Sequence, residues 1–288
     1  MDGAIILSKD LKKILLANTQ IIPSCKILTD ETGTRHRTAE RTAKQTGELV
    51  ISISQRRNII TVFKGDFRYT IEDTAKIITR ANQALQTLEN YKKVFDTKLG
   101  ILNEYEFNDI VTLDNVITCL QRVEMVMKIS EEVNRAIYEL GIDGFLVKMQ
   151  LEELIENLPN EELLIIKDYV APSRRLIPEK ILNLIRENAK DGFIDSNTIA
   201  KLLGYEVFEN YEEIAVYPRG YRILSKIPRM PNTIVNNLVK TFKSFQHILA
   251  ADIQKLDEVE GIGEVRARTI KQSLRRMQEQ FMFDNLMI

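Results

Sequence analysis

The sequence predicts three blocks: an α/β unit over residues 1–72 with a thin mixed sheet and flanking helices, an all-α stretch over 73–217, and a second helical module over 218–288. Three observations lead there. Period-two alternation and turn residues crowd the first block. In the second, Leu113, Val116, Leu120, Val123 and Met127 step by three or four residues along one helix face. The third block repeats itself weakly, Leu224, Ile227, Val235 and Leu238 lying over Leu256, Val259, Ala267 and Ile270 at an offset of 32.

The elements follow in order. Ala4–Leu7 reads as a buried-type apolar strand and residues 13–22 as a second, stopped by Pro23-Ser24. A loop then enters a helix over 35–45, which Gly47 ends by taking a left-handed backbone. Leu49, Ile51 and Ile53 alternate with Val50, Ser52 and Ser54. Arg56-Arg57-Asn58 turns that strand into 59–63, and Lys64-Gly65-Asp66 leads to a last short strand. From about residue 71 to 199 the chain reads helical, including 150–158, 160–169, 178–190 and 196–203. Gly141, Gly144, Pro159, Pro172, Gly192 and Gly204 are the breaks, and Ser196 is the expected N-cap. Residues 205–217 are ambiguous, with an extended chain as one reading.

Composition narrows the class. The apolar fraction of 44% supports packed cores, and no run is long enough to span a membrane. Cys25 and Cys119 lie far apart and read as reduced thiols of a cytoplasmic protein; two histidines in all argue against a His-based zinc site. The net charge of −1 hides a pattern. Residues 1–72 carry 12 basic against 8 acidic side chains, 73–217 carry 16 against 26, and 218–288 carry 12 against 7. Basic ends around an acidic middle suggest two anion-binding modules joined by a spacer.

At the C-terminal end, Val259-Glu260-Gly261-Ile262-Gly263-Glu264-Val265-Arg266-Ala267 is an apolar residue, a Gly-x-Gly turn and a helix start. Such a turn aims backbone N–H groups at a phosphate oxygen without reading a base. Gly261, Ile262 and Gly263 would make that contact. Arg266, Arg268 and Lys271, with Arg275 and Arg276, would add long-range attraction. The pattern is that of a helix-hairpin-helix binder of DNA that does not read its sequence. Its first copy, Arg229-Met230-Pro231, looks structural.

At the other end, Gly33-Thr34-Arg35-His36-Arg37-Thr38-Ala39-Glu40-Arg41 puts three arginines and a histidine at a helix start. Cations there oppose the helix dipole unless an anion is bound. Arg35 and Arg37 can clamp phosphate, Thr34, Thr38 and first-turn amides can complete the cradle, and His36 can contact phosphate or the leaving group. Asp2, beside a strand, can hold Mg²⁺ or Mn²⁺, and Gly3 can admit a nucleotide to the backbone. This is a kit for phosphoryl or nucleotidyl transfer. The bland reading is a solvated first turn.

These residues carry a resemblance. Asp2-Gly3-Ala4 and the nonapeptide Gly33 to Arg41 resemble the two signature motifs of diadenylate cyclases. With the helical middle and the C-terminal hairpin, the whole chain is similar to the DNA-integrity-scanning branch of that family. The resemblance implies condensation of two ATP into cyclic di-AMP, with release of pyrophosphate, in a homo-octamer whose cyclase domains meet face to face. It implies a cytoplasmic, nucleoid-associated protein in which bound DNA restrains the cyclase. Position by position, it makes Asp2 the metal ligand that helps activate the 3′-hydroxyl, with Arg35, His36 and Arg37 catalytic. Gly3, Ile21, Thr34, Arg35, His36, Arg37 and Thr38 would bind ATP, Ile21 packing on adenine from the end of the second strand. Ser54 and Arg57 are weaker candidates. Family members carry a helix and strands before Asp-Gly-Ala, and none precedes Met1 here. Residues 1–288 alone are therefore expected to be poorly soluble or inactive as a cyclase. A competing expectation is a DNA-structure-binding scaffold with a catalytically incomplete cyclase part. A repair accessory factor or nuclease is disfavoured because no clustered acid pairs occur.

Overall fold

The computed structural model describes residues 3–54, 59–172, 177–189, 192–206 and 210–284, with side chains through Gln280. Its chain divides into two units, Met1–Arg80 and Ala81–Ile288.

In the first unit, β1 (Ala4–Leu7) and β2 (Ile14–Thr19) form one antiparallel hairpin. Its turn is closed by Ser8 N–H donating to the Lys13 carbonyl at 2.9 Å. Helix α1 (Thr34–Thr46) follows, ended by Gly47 at φ +74°. Then β3 (Leu49–Ser54), β4 (Ile59–Lys64) and β5 (Phe67–Ile71) make an antiparallel meander with β4 in the centre. The expected mixture of strands and helices is present. Among the described residues, however, every strand pair is antiparallel, and the strands form two separate sheets. The reason is the connections. Short turns return the chain antiparallel, and a parallel pair would need a long crossover.

Two further expectations change here. Ile5 and Leu7 of β1 are about half exposed, at 53% and 47%, because β2 is the only strand that pairs β1 among the described residues. The second strand stops at Thr19 rather than 22, where Asn18 takes φ +55°. In the meander, Val50 and Phe63 pack with Ala39 and Ala43 of α1. Leu49, Ile51 and Ile53, the more apolar face of β3, are exposed.

Helix α2 (Thr74–Asn108) follows β5, and its residues from Ala81 open the second unit. The helices α3 (Leu113–Leu140), α4 (Phe145–Ile155), α5 (Leu158–Tyr169), α6 (Pro178–Asn188) and α7 (Ser196–Leu203) come next. Leu113, Val116 and Leu120, from the predicted stripe, pack with Ile165, Ile181 and Ile199 in one core. Pro159 lies inside the first turn of α5 rather than breaking it, since a helix start has no use for its missing N–H. Asp195, not Ser196, caps α7, accepting from the Thr198 amide at 2.9 Å. A carboxylate gains more from the helix start than a hydroxyl does. The ambiguous stretch contains a 3₁₀ turn at Tyr211–Glu213.

A second core holds α8 (Tyr221–Ser225), α9 (Asn232–Phe242), α10 (Phe245–Ala250), α11 (Ile253–Asp257) and α12 (Glu264–Asp284). The 32-residue repeat is visible in the backbone. Arg229 at φ +59° and Gly261 at φ +84° occupy equivalent turns between α8 and α9 and between α11 and α12. The module is joined to the other helices by a buried polar node. Arg222, fully buried, pairs with Glu106 and donates to Asn103 Oδ1 at 2.5 Å. Asp168 accepts from the amides of Gly220, Tyr221 and Arg222 at 2.7–3.0 Å. Arg219 caps the end of α5 through the carbonyls of Lys167, Asp168 and Val170. Such a node is costly to break, because each lost partner strands a buried charge.

Candidate nucleotide site and a basic C-terminal hairpin

The start of α1 is a helix end without a cap. Gly33 stands at the N-cap in extended conformation, no side chain caps the turn, and the first turn contains no acid. Its orphan amides and its dipole therefore favour an anion. One helical turn brings Thr34, Arg35, His36, Arg37 and Thr38 together. Thr34 and Arg35 are exposed, and the other three are half-buried. Thr38 Oγ1 donates to the Thr34 carbonyl at 2.9 Å, so its one proton is engaged within the helix. Arg37 is partly engaged, donating to the Thr32 carbonyl at 3.2 Å.

The remaining predicted nucleotide residues lie on other elements. Gly3 starts the β1–β2 hairpin and donates to Asn18 Oδ1 at 3.0 Å. A Cβ there would fall 2.3 Å from the Asn18 carbonyl carbon, so packing against β2 already requires glycine. Ile21 lies beyond the end of β2 and is half-buried, rather than being the last residue of that strand. Ser54 ends β3 and is half-buried. Asp2 and Arg57 lie outside the described residues.

Sequence reasoning missed a second set on α1. Glu40, Arg41, Lys44 and Gln45 share a helix face with Arg37, and all of them engage the loop before the helix. Arg41 Nε donates to the Ile27 carbonyl at 2.9 Å, and Lys44 Nζ donates to the Leu28 carbonyl at 3.2 Å. Gln45 Oε1 accepts from the Ser24 amide at 2.9 Å. Glu40 is buried, accepts from Thr29 Oγ1 and pairs with Lys44 at 2.8 Å. Burial alone would raise the Glu40 carboxyl. The hydrogen bonds from Lys44 and Thr29 outweigh it and hold the group below the ordinary glutamate value. The 37–40/41–44/45 spacing is the signal that could have found this face.

The C-terminal hairpin sorts its predicted residues differently. Gly263 is open, with nothing within 4 Å of a would-be Cβ, and its carbonyl accepts from the Ala267 amide at 2.9 Å. Gly261 needs its left-handed backbone, and a Cβ would press on Ile234 at 2.7 Å. Ile262 is a correction: its side chain is in the core and its amide donates to the Val259 carbonyl at 2.9 Å, so neither faces solvent as an anion contact would. Lys271 is another. Its ammonium caps α10, donating to the carbonyls of Leu249 and Ala251 at 2.7 Å, because a helix end leaves those oxygens unpaired. Arg266 folds back onto the Gly261 carbonyl, and Arg268 pairs with Glu264 at 2.5 Å, yet Arg268 stays exposed. Arg276 is also exposed.

Among the described residues, no three His, Cys, Asp or Glu side chains cluster to hold a metal ion, and no helix is long and apolar enough to cross a membrane.

Comparison with known proteins bears on both ends. Residues 1–67 match the family model described as DisA bacterial checkpoint controller nucleotide-binding, and residues 71–211 match the DisA bacterial checkpoint controller linker region. The DNA integrity scanning protein DisA of Carboxydothermus hydrogenoformans is 52% identical over 280 residues, 97% of this chain and 80% of the relative. That of Acetivibrio thermocellus is 52% identical over 285 residues, 99% of this chain and 79% of the relative. That of Bacillus pumilus is 49% identical over 284 residues, with the same coverage. This chain belongs to the DisA family. The uncapped start of α1 falls inside the matched DisA nucleotide-binding region, and α3 to α7 fall inside the matched DisA linker. Neither match extends over the hairpin at 261–263.

Proposed function

We propose that the chain is a subunit of a DNA-regulated diadenylate cyclase. It condenses two ATP into cyclic di-AMP and releases two pyrophosphates. The observation that carries this is the acid-free, uncapped start of α1, with its Thr-Arg-His-Arg-Thr turn, inside a region matched as nucleotide-binding.

The chemistry follows from that geometry. A triphosphate seated on the α1 amides is held by the Thr34 hydroxyl and by the Arg35 and Arg37 guanidiniums, with His36 on the leaving pyrophosphate; Thr38 joins them when its hydroxyl turns from the Thr34 carbonyl to a phosphate oxygen. Ile21 packs on adenine, and Gly3 lies along the nucleotide. Two such sites, meeting face to face in a homo-octamer, present each 3′-hydroxyl to the opposite α-phosphate. Asp2 and the triphosphate oxygens would hold Mg²⁺ or Mn²⁺, which would supply charge neutralisation and make the attacking hydroxyl more acidic. Positioning and electrostatics do the rest, as in phosphoryl transfer generally.

At the other end, a helix-hairpin-helix module binds double-stranded or branched DNA through amides around Gly261 and Gly263, steered by Arg266, Arg268 and Arg276. Bound DNA restrains the cyclase, which places the protein in the cytoplasm, at the nucleoid. A second reading, a DNA-binding scaffold with an idle nucleotide domain, draws on the half-exposed β1 and the exposed Leu49, Ile51 and Ile53. Chromatography of ATP and Mn²⁺ incubations separates the two. Cyclic di-AMP formed by the native protein and lost in Asp2→Asn supports the cyclase. ATP binding without turnover favours the scaffold.

A further inference from the structure

The loop between β2 and α1 ends in the turn that carries the phosphate residues, and it begins beside Ile21. Nothing about its composition explains why it should hold one shape. The structure supplies the reason on a single face of α1.

Five contacts tie the loop down along that face. Gln45 holds Ser24, Arg41 holds Ile27, Lys44 holds Leu28, Glu40 holds Thr29, and Arg37 holds Thr32. Along the loop the partners run from Gln45 at one end of the helix to Arg37 at the other, with Arg41 and Lys44 exchanged at the adjacent Ile27 and Leu28, as expected of a segment laid antiparallel on it. Glu40 is at the centre and is the only acid of the set. The residue is 7% exposed, and a buried charge of that kind is tolerated only with donors around it. One donor is Lys44, which also reaches the loop at Leu28. The other is the Thr29 hydroxyl, whose oxygen in turn accepts the Glu31 amide at 3.2 Å and so fixes the next turn of the loop. Glu31 is anchored on its far side by Arg68 of β5 at 2.7 Å.

We propose that Glu40 is a positioning residue of the nucleotide site. It clamps the 24–33 loop to α1 and thereby sets the spacing between the adenine side at Ile21 and the phosphate side at Thr34 to Thr38. This deepens the nucleotide reading and rests on it. Glu40 itself need not touch the ligand.

The test uses the full chain and two readouts, hydrogen exchange and titration with the non-hydrolysable analogue α,β-methylene ATP. In Glu40→Ala, amides over 24–33 exchange at least about tenfold faster, while those of β4 and α12 keep their native rates. Affinity for the analogue falls by about tenfold, the scale of one lost charged hydrogen bond. Glu40→Gln, which still accepts from Thr29 but loses the Lys44 ion pair, lies between. Should Glu40→Ala fail to fold, Thr29→Val removes the same bond from the loop side and leaves α1 untouched. Native exchange over 24–33 overturns the clamp. A loosened loop with native affinity overturns the positioning role. If the native chain itself does not bind the analogue, the nucleotide reading fails and the positioning role with it, whereas the exchange result still decides whether the clamp exists.

Discussion

Helices α1 and α12 look alike in sequence, each a basic helix opened by a glycine turn, but they use their charges differently. The first turn of α1 contains cations and no acid, whereas α12 starts with Glu264, which already complements its dipole. In α1 the downstream charges are spent on a loop, and the helix start is left open. In α12 they are spent on the hairpin itself, Arg266 on Gly261 and Lys271 on the end of α10. A helix start that repels its own residues is stabilised by a bound anion. A hairpin that is already satisfied offers backbone amides and a few exposed guanidiniums. The first arrangement suits a discrete polyphosphate, the second a long polyanion gripped without sequence preference.

The largest effect that could break this contrast is at Gly263. The open space around it accommodates a side chain, so Gly263→Asp should leave unfolding unchanged while abolishing DNA binding in a gel-shift titration, because a carboxylate occupies the phosphate's place. Retained affinity would remove the hairpin from the DNA contact. Gly261→Ala should do the opposite. It strains a left-handed backbone and presses on Ile234, and chemical denaturation should show a loss of about 1–3 kcal/mol.

Next in size is the response to pH, which should run in opposite directions in the two units. Glu40 sits below its ordinary value, so its contribution is present above about pH 4.5 and is lost as pH falls through the folded value. In the second unit, burial and the neighbouring Glu162 carboxylate push Glu124 up to about 9, against the attraction of Arg186. Its contribution is present below about pH 4.5 and is lost as pH rises toward about 9. Thermal unfolding from pH 6 to 9 should show the second unit weakening, and Glu124→Gln should flatten that slope. An unchanged slope would mean that Glu124 is ionised throughout.

The smallest effect separates two basic residues of α12. Removing the exposed Arg276 should lower the salt dependence of DNA binding by about one counterion, with stability unchanged. Lys271→Met should instead cost about 1 kcal/mol of stability, by uncapping α10, and leave the salt slope alone. Equal effects in the salt titration would restore Lys271 to the DNA face.

Local rules made much of this readable beforehand. Gly47 stops α1, β3 to β5 pair as strands with Gly65 in the turn between β4 and β5, and the 32-residue repeat reappears as matched positive φ values at Arg229 and Gly261. What escaped depends on where a carbonyl happens to sit. Arg37, Arg41 and Lys271 read as ligand cations or solvated charge, and only the fold places Thr32, Ile27 and Leu249 within their reach. Ile262 read as part of a contact because its neighbours are glycines, although its side chain fills the core. The alternation in β3 showed two faces but not which one α1 covers, and the less apolar one is inside. The burial of Arg222 depends on Asn103 and Glu106, more than a hundred residues earlier, and no local pattern signals it.

The central claim is that the open start of α1 seats the triphosphate of ATP. Isothermal titration of native protein and Arg35→Ala with ATP in the presence of Mn²⁺ tests it most directly. The account predicts saturable binding by the native chain, weakened at least about tenfold by the substitution, in line with loss of a charge-assisted phosphate contact. Equal affinity in the two proteins, or no binding to either, would contradict it.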